Sequence, residues 1–467
     1  MSKIPAQDVA VRTQDDAILN PRTTKYEFAG PLGALFVTVT VPIFSYLLYF
    51  GCSEQSGGCF LENTARCFYK SCGDGPDAAW MHNWETVLAL AKRDLTDPEW
   101  WKGLWDQEAA IAYAAWYVYC VVCWAVVPGE WVQGVRMRNG ETKSYKINAL
   151  PTAMLTLGLT FGYIFQNGPE KFTFIYHHWI GLVTASLIWS TVLALYVYAM
   201  SFKKGKLLAE GGNSGNPIYD FFIGRELNPS IGSFDIKSFN ELRPGLILWM
   251  LIDISMVCEQ AVRRGGFDKV TDSMWLVLAF HCWYVMDSLY NEVRAGYLHH
   301  HGHHDRWLRL HALCRRPRMG TFHVQSSGEV PRLQACRARA FLDRLHRRRE
   351  PAWLLHLPLR QRAKERLQEW EGEQLKYFTT STGRKLITSG WWGWSRHPNY
   401  FGDWLMAVAW SLPTGFATPF TYFYPIYFAI LLVHRQLRDD EACHKKYGAD
   451  WETYKKLVPW RIVRYIY

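Results

Sequence analysis

Long apolar stretches alternate with polar loops along most of this chain. Pro31–Tyr49, Ala110–Val127, Ala149–Phe165, Trp179–Met200 and Met274–Leu289 are apolar runs, and Leu246–Cys258 becomes a comparable one with its flanks. Runs of about 17–25 apolar residues suffice to cross a bilayer as a helix. Trp404–Val433 is apolar throughout but broken by Pro413, Gly415 and Pro419, which predicts one kinked span or two tightly joined ones. Many of the runs end in Trp or Tyr, as interfacial anchors do. The pattern predicts an all-α, polytopic membrane protein.

The polar stretches add an orientation. About 30 polar residues precede the first run, so no cleavable signal peptide is expected there. Residues 1–30 read as a cytosolic tail and 31–293 as the N-terminal transmembrane helices. Lys203, Lys204 and Lys206 follow the fourth run and favour the cytosolic side. The loop 51–76 carries Cys52, Cys59, Cys67 and Cys72, compatible with luminal disulfides or with free thiols. Cys120 and Cys123 form a C-x-x-C inside a run; with no second pair this reads as helix packing, not zinc or redox chemistry. Asp253, Glu259, His281 and Asp287 lie in or beside apolar runs, where an ionisable group is costly and faces a cavity or a partner.

Charge separates two materials. The 467 residues carry a net charge of +10. Residues 294–371 alone hold 16 Arg, 1 Lys and 7 acidic residues, which is that whole excess. Without this segment the chain is electroneutral by count, so the basic balance is no argument for a nucleic-acid partner.

Chemistry-bearing residues concentrate in two places. Gly215–Pro229 (GNPIYDFFIGRELNP) joins the fourth and fifth runs. The C-terminal quarter holds Arg396, His397, Asn399, Tyr400 and Asp403 beside one apolar helix. It also holds Arg435, Arg438, Asp439, Asp440, Lys445, Lys446 and Tyr447 beside another. Such a set makes a membrane-edge pocket with Arg and Lys for phosphates, aromatic faces for a planar ring, and Asp for hydroxyls. A charged juxtamembrane face meeting lipid phosphates is the plain alternative.

These segments resemble the sterol reductase family, which comprises Δ14-, Δ7- and C24(28)-sterol reductases and the membrane domain of the lamin B receptor. The pattern His-Arg-x-x-Arg-Asp-x-x-x-Cys-x-x-Lys-Tyr-Gly is matched at every fixed position from His434 to Gly448. The other signature departs once, with Ser230 where the family has Arg. The resemblance covers Tyr26 to Glu292 and Leu375 to the end, and YEFAGPLGA, NPIYDFFIGRELNP and GDWLMAVAWSLPTGFATP look most like fungal Δ14-sterol reductases. The resemblance implies about ten transmembrane helices, an endoplasmic reticulum membrane location, a sterol substrate and NADPH, with residues 375–467 as the NADPH- and sterol-binding region. Carried over position by position, it implies cofactor contacts at Ile387, Trp392, Asn399, Tyr400, Asp439, Cys443, His444, Lys445, Lys446, Tyr447 and Tyr454. It implies no metal and no nucleic acid, and leaves the oligomeric state open. A Δ7- or C24(28)-reductase, or a non-catalytic sterol-binding scaffold, are the alternatives.

The implied chemistry selects further candidates. An isolated ring alkene is unpolarised, so a proton added at C15 must precede hydride at C14. That calls for a buried acid with water excluded. Asp403, Tyr400 and His397 are the proton-donor or relay candidates, in that order.

Residues 294–374 do not fit. Five histidines (His299, His300, His301, His303, His304) resemble a metal tract and the arginines a nucleic-acid or headgroup arm. Yet the sterol-pocket helices and phosphate-gripping Lys and Arg that the resemblance implies are missing here. A coding sequence read one base out of frame accounts for both. Shifted by one base, Trp307 before a CTN leucine codon becomes Gly, and Met319 before Gly320 becomes Trp, each where the family pattern has it. Frame loss near Val293 with return near Glu371–Leu375 is the expectation.

Overall fold

The computed structural model of the protein describes residues 19–52, 92, 96–134, 136–292, 376–415 and 422–467. The Cys-rich loop beyond Cys52, the histidine tract and the segment read as out of frame lie outside the described residues. The described chain is mostly helical, with three short antiparallel β-pairs. It forms two compact units: residues up to Val270 together with 281–292, and residues 271–280 together with 376–467.

The first unit begins with α1 (Gly30–Cys52), α2 (Pro98–Gly103) and α3 (Gln107–Val126). The hairpin β1 (Glu130–Gln133) and β2 (Ser144–Ile147) leads to α4 (Ala149–Asn167), followed by the short α5 (Phe174–His177) and α6 (Trp179–Met200). Then come α7 (Pro217–Ile223), the pair β3 (Ser230–Ile231) and β4 (Phe234–Asp235), α8 (Ile236–Asn240), a π-helical turn over Glu241–Ile247, α9 (Leu248–Arg264) and, from residue 281 on, α10 (Asp272–Tyr290). Among the described residues, Pro98–Val126, Trp179–Met200 and Ile236–Arg264 are long and apolar enough to cross a membrane. In the last, every residue from Trp249 to Ala261 is buried. Apolar side chains such as Leu32 and Phe36 on α1, Val118 and Val122 on α3, and Val192 and Leu195 on α6 instead point outward, as lipid-facing residues do.

Local chemistry explains the helix ends and contacts. Asp106 caps α3 by accepting from Glu108 N at 2.9 Å and Ala109 N at 3.2 Å. Gly265, in the left-handed region at φ 79°, ends α9 just after Arg263 and Arg264, which favour the negative end of the helix dipole. At Gly181 of α6 a Cβ would lie 2.3 Å from Asp106 Cβ, so only glycine allows this approach to α3. Hydroxyls join other helices: Tyr119 to Thr156 and Tyr46 to Thr184, each at 2.9 Å.

A buried polar bolt locks this unit. Arg243 in the π-turn, 1% exposed, donates to Glu292 Oε1 at 2.8 Å and to Asn148 Oδ1 at 2.6 Å. Glu292 Oε2 accepts from Ala149 N at 2.7 Å, and Asn148 Nδ2 donates to Val127 O at 2.8 Å, covering the end of α3. Arg243→Met leaves Glu292 buried without its cation. A loss of about 3–5 kcal/mol is expected, read as a large drop in thermal midpoint in detergent. An unchanged midpoint would contradict the bolt.

The second unit holds the hairpin β5 (Tyr377–Thr379) and β6 (Lys385–Ile387), the one-turn α11 (Trp391–Trp394), α12 (Pro398–Ser411), α13 (Phe423–Tyr447) and α14 (Ala449–Leu457). The Trp404–Val433 run resolves into two helices. α12 stops at Ser411, a 3₁₀ turn containing Pro413 follows, and Gly415 at φ 70° breaks the path before α13 begins.

Candidate functional site

Pro398 opens α12 at the position where its missing N–H costs nothing. One helical turn then sets Asn399, Tyr400 and Asp403 on neighbouring positions. Asn399 and Tyr400 are buried, and Asp403 is half-buried. Tyr400 packs with Leu432 of α13 and Ile462, walled by Phe401, Trp404, Phe428 and Val433. Its hydroxyl donates to Asp439 Oδ2 in a hydrogen bond that joins α12 to α13. The His397 ring lies parallel to the Tyr400 ring, 5° between planes and 4.7 Å between centroids. The Arg435 guanidinium sits 5.6 Å from the centroid of the same ring. Tyr400 is therefore held by an imidazole, a cation and a carboxylate at once.

A second network lies beside the first. Arg396, with its side chain 4% exposed, reaches Asp440 Oδ1 at 3.3 Å, and Trp451 Nε1 donates to the same oxygen at 3.0 Å. Burial pulls the Arg396 guanidinium below its ordinary pKa, while Asp440 acts in the other direction. Tyr454 donates to Ile387 O at 3.0 Å, tying α14 to β6. Burial pushes its phenol up to about 12, so it remains a neutral donor. Trp451, Tyr454 and Val458 form an apolar cluster with Phe378, Leu386, Cys443 and Tyr447.

The eleven positions carried over from the resemblance thus separate. Tyr400 and Asp439 meet directly, with Asn399 adjacent in α12; Ile387 and Tyr454 meet directly, with Cys443 and Tyr447 packed around Tyr454. Trp392 is half-buried in α11. His444, Lys445 and Lys446 form an exposed rim: His444 faces Glu452 at 3.2 Å, Lys445 pairs with Glu441 at 2.6 Å, and Lys446 lies over the Tyr447 ring. Four buried polar atoms, Ser395 Oγ, Arg396 Nε, Asn399 Oδ1 and Gln436 Nε2, have no hydrogen-bond partner among the described residues. Aromatic faces, cations and buried polar atoms of this kind suit a nucleotide cofactor.

Cys443 gives a direct check on this packing. It lies beyond the apolar part of α13, and burial pushes its thiol up to about 11. It stays protonated at neutral pH, so alkylation followed by mass spectrometry is expected to be slow at pH 8 and to accelerate as pH nears 11 in the folded protein. Rapid labelling at pH 8 would show the cluster to be open.

Other polar residues singled out by their sequence context have partners within the first unit. Asp220 accepts from Ser214 Oγ at 2.7 Å, and Arg225 donates to Ser201 O at 2.9 Å. Glu226 pairs with Lys206 at 2.7 Å, and Tyr219 accepts from Glu27 N at 2.8 Å, so Gly215–Pro229 is a joint between the N-terminal segment and the loop after α6. Asp253 and His281 form a buried pair at 2.8 Å, and Glu259 holds Arg263 at 2.8 Å and His177 at 3.1 Å. Asp287 accepts from Asn291 at 3.2 Å. Cys120 and Cys123 are free, buried thiols within α3. Gln436, Trp451, Arg461 and Tyr467 went unpredicted. The only trace of Gln436 in sequence is its place four residues after Leu432, on the buried face of α13.

The chain matches the Ergosterol biosynthesis ERG4/ERG24 family over residues 22–295 and 359–467. It is 38% identical to the Δ14-sterol reductase of Schizosaccharomyces pombe over 455 residues, covering 95% of this chain and 97% of the other. It is 36% identical to the Δ14-sterol reductase of Candida albicans, covering 96% and 99%, and 34% identical to that of Saccharomyces cerevisiae, covering 96% and 99%.

Proposed function

The chain belongs to the ergosterol biosynthesis ERG4/ERG24 family, and from that membership we propose that it is a Δ14-sterol reductase that saturates the C14=C15 bond of a sterol intermediate with NADPH. The observation that carries the reading is near end-to-end similarity to relatives that bear this name. The protein would lie in the endoplasmic reticulum membrane as a multi-pass chain of about ten helices, with its substrate supplied from the bilayer.

NADPH, when bound, supplies the hydride that completes the reduction at C14. Trp392, Asn399, Tyr400, Asp439 and Tyr454 would hold it, with Lys445 and Lys446 at the rim for its phosphates. The protein's own task is the proton. Asp403, as a carboxylic acid on the face of α12 that carries Tyr400, donates to C15, leaving a tertiary cation at C14. Tyr400 commits its hydroxyl to Asp439, which suits relay and orientation more than direct donation. His397, stacked on Tyr400, orients that ring and can return a proton toward α12. The surrounding Phe401, Trp404 and Phe428 keep water from the cation.

Sterol profiling in a yeast that lacks Δ14-sterol reductase tests the assignment. The natural gene product is expected to restore C14-saturated sterols. Accumulation of C14=C15 sterols despite expression would refute it, and correction of a Δ7 or C24(28) defect instead would move the assignment within the family.

A further inference from the structure

We propose that residues 458–467 act as a strap that places the proton-handling residues, with Tyr467 and Gln436 as its positioning residues. The inference rests on the reductase reading above and concerns groups outside the proposed proton and cofactor contacts.

The strap is fastened to the start of α12 by main chain alone. Arg396 N donates to Trp460 O and His397 N to Arg461 O, each at 2.9 Å. These two bonds fix the backbone immediately before Pro398, and with it the His397 ring that stacks on Tyr400. The strap is closed on itself: Arg461 N and Ile462 N both donate to Tyr467 O at 2.9 Å, and Val463 N does so at 3.2 Å. Ile462 is buried against Tyr400 and Leu432, so one short segment touches the first turn of α12 and the middle of α13 together.

A polar chain then crosses to α13. Arg461 Nη1 donates to the Tyr467 hydroxyl at 2.9 Å, and that hydroxyl donates to Gln436 Oε1 at 3.1 Å. Gln436 is fully buried, adjoins Arg435 in sequence, and lies three and four residues before Asp439 and Asp440. Each of these neighbours bears on the site: Arg435 over the Tyr400 ring, Asp439 on the Tyr400 hydroxyl and Asp440 on Arg396. Apolar contact alone could have sealed the strap. A directional hydrogen-bonded chain through an apolar cluster instead fixes the rotation of α13 about its axis, which decides whether Asp439 meets Tyr400. Misplacement of a catalytic group by about 1 Å can cost a hundredfold in rate.

The test is a mutant cycle in the purified natural gene product: Tyr467→Phe, Gln436→Leu and the pair together. Measurements are kcat, KM for sterol and for NADPH, and the thermal midpoint. Each single change is expected to lower kcat about tenfold with both KM values nearly unchanged, and the double variant to be no worse than the worse single, because both act through one contact. Tyr467→Phe removes only a hydroxyl and keeps the ring in its cluster, so it reports even where Gln436→Leu fails to fold. Wild-type kcat in Tyr467→Phe, additive losses, or losses confined to KM would each overturn the strap. An unsubstituted protein without NADPH-dependent sterol reduction would instead overturn the reductase reading itself.

Discussion

Asp403→Asn in the natural gene product is expected to cut sterol turnover by roughly 10²–10⁴-fold, the range for loss of a general acid. NADPH binding should remain near normal. The amide keeps the shape and hydrogen-bonding reach of the carboxyl group but has no carboxylic proton to give. The alkene can accept hydride only after protonation, so the loss falls on kcat and not on KM. Tyr400→Phe is the informative companion. It breaks the bond to Asp439 while keeping the ring between His397 and Arg435. A smaller loss there than in Asp403→Asn identifies Tyr400 as relay; the reverse order makes Tyr400 the donor and Asp403 a structural partner. Full activity in Asp403→Asn would remove it from the mechanism.

What sequence could and could not convey follows from the range of the forces involved. Apolar runs such as Ala149–Phe165 and Trp179–Met200 became helices with little shift in their ends, because about twenty apolar residues in lipid have few ways to satisfy their backbone. The break near Pro413 was visible for the same local reason. Leu246–Cys258 is extended by its flanks as expected, the helical stretch running from Ile236 through a π-turn to Arg264, but its polar beginning pairs with partners far away in sequence. Arg243 meets Glu292, 49 residues on, and no periodicity announces that. In Gly215–Pro229, composition marked the charged residues but not their partners: Asp220 holds a turn, Arg225 a helix end and Glu226 a lysine. In the C-terminal unit several of the residues marked by type lie in contact with one another. Contacts such as Tyr400 with Asp439 and Tyr467 with Gln436 emerge only when α12, α13 and the strap are packed.

The largest effect is expected from the segment between the two matched regions. The chain as it stands should fail to restore sterol synthesis in a reductase-deficient yeast, while a version with the codons near 293–375 returned to the other frame should restore it. Two observations meet here. Alignment with the Schizosaccharomyces pombe relative runs over 95% of this chain and 97% of that one, so the chain has nearly the length the family requires. Yet the family match stops at 295 and resumes at 359. A true insertion would lengthen the chain, and a deletion would shorten it. A frame lost and later regained would preserve length while replacing content, and it would account for the 16 Arg over residues 294–371. The match resumes at 359, before the return of frame expected near Glu371–Leu375, so residues 359–374 of that segment lie within the family match. Sixteen arginines are a poor sequence for membrane-spanning helices, each being worth about 2.5–3.5 kcal/mol against insertion at a helix centre. Equal rescue by both versions, or cDNA that reads this segment in the same frame as its flanks, would establish residues 294–374 as native sequence.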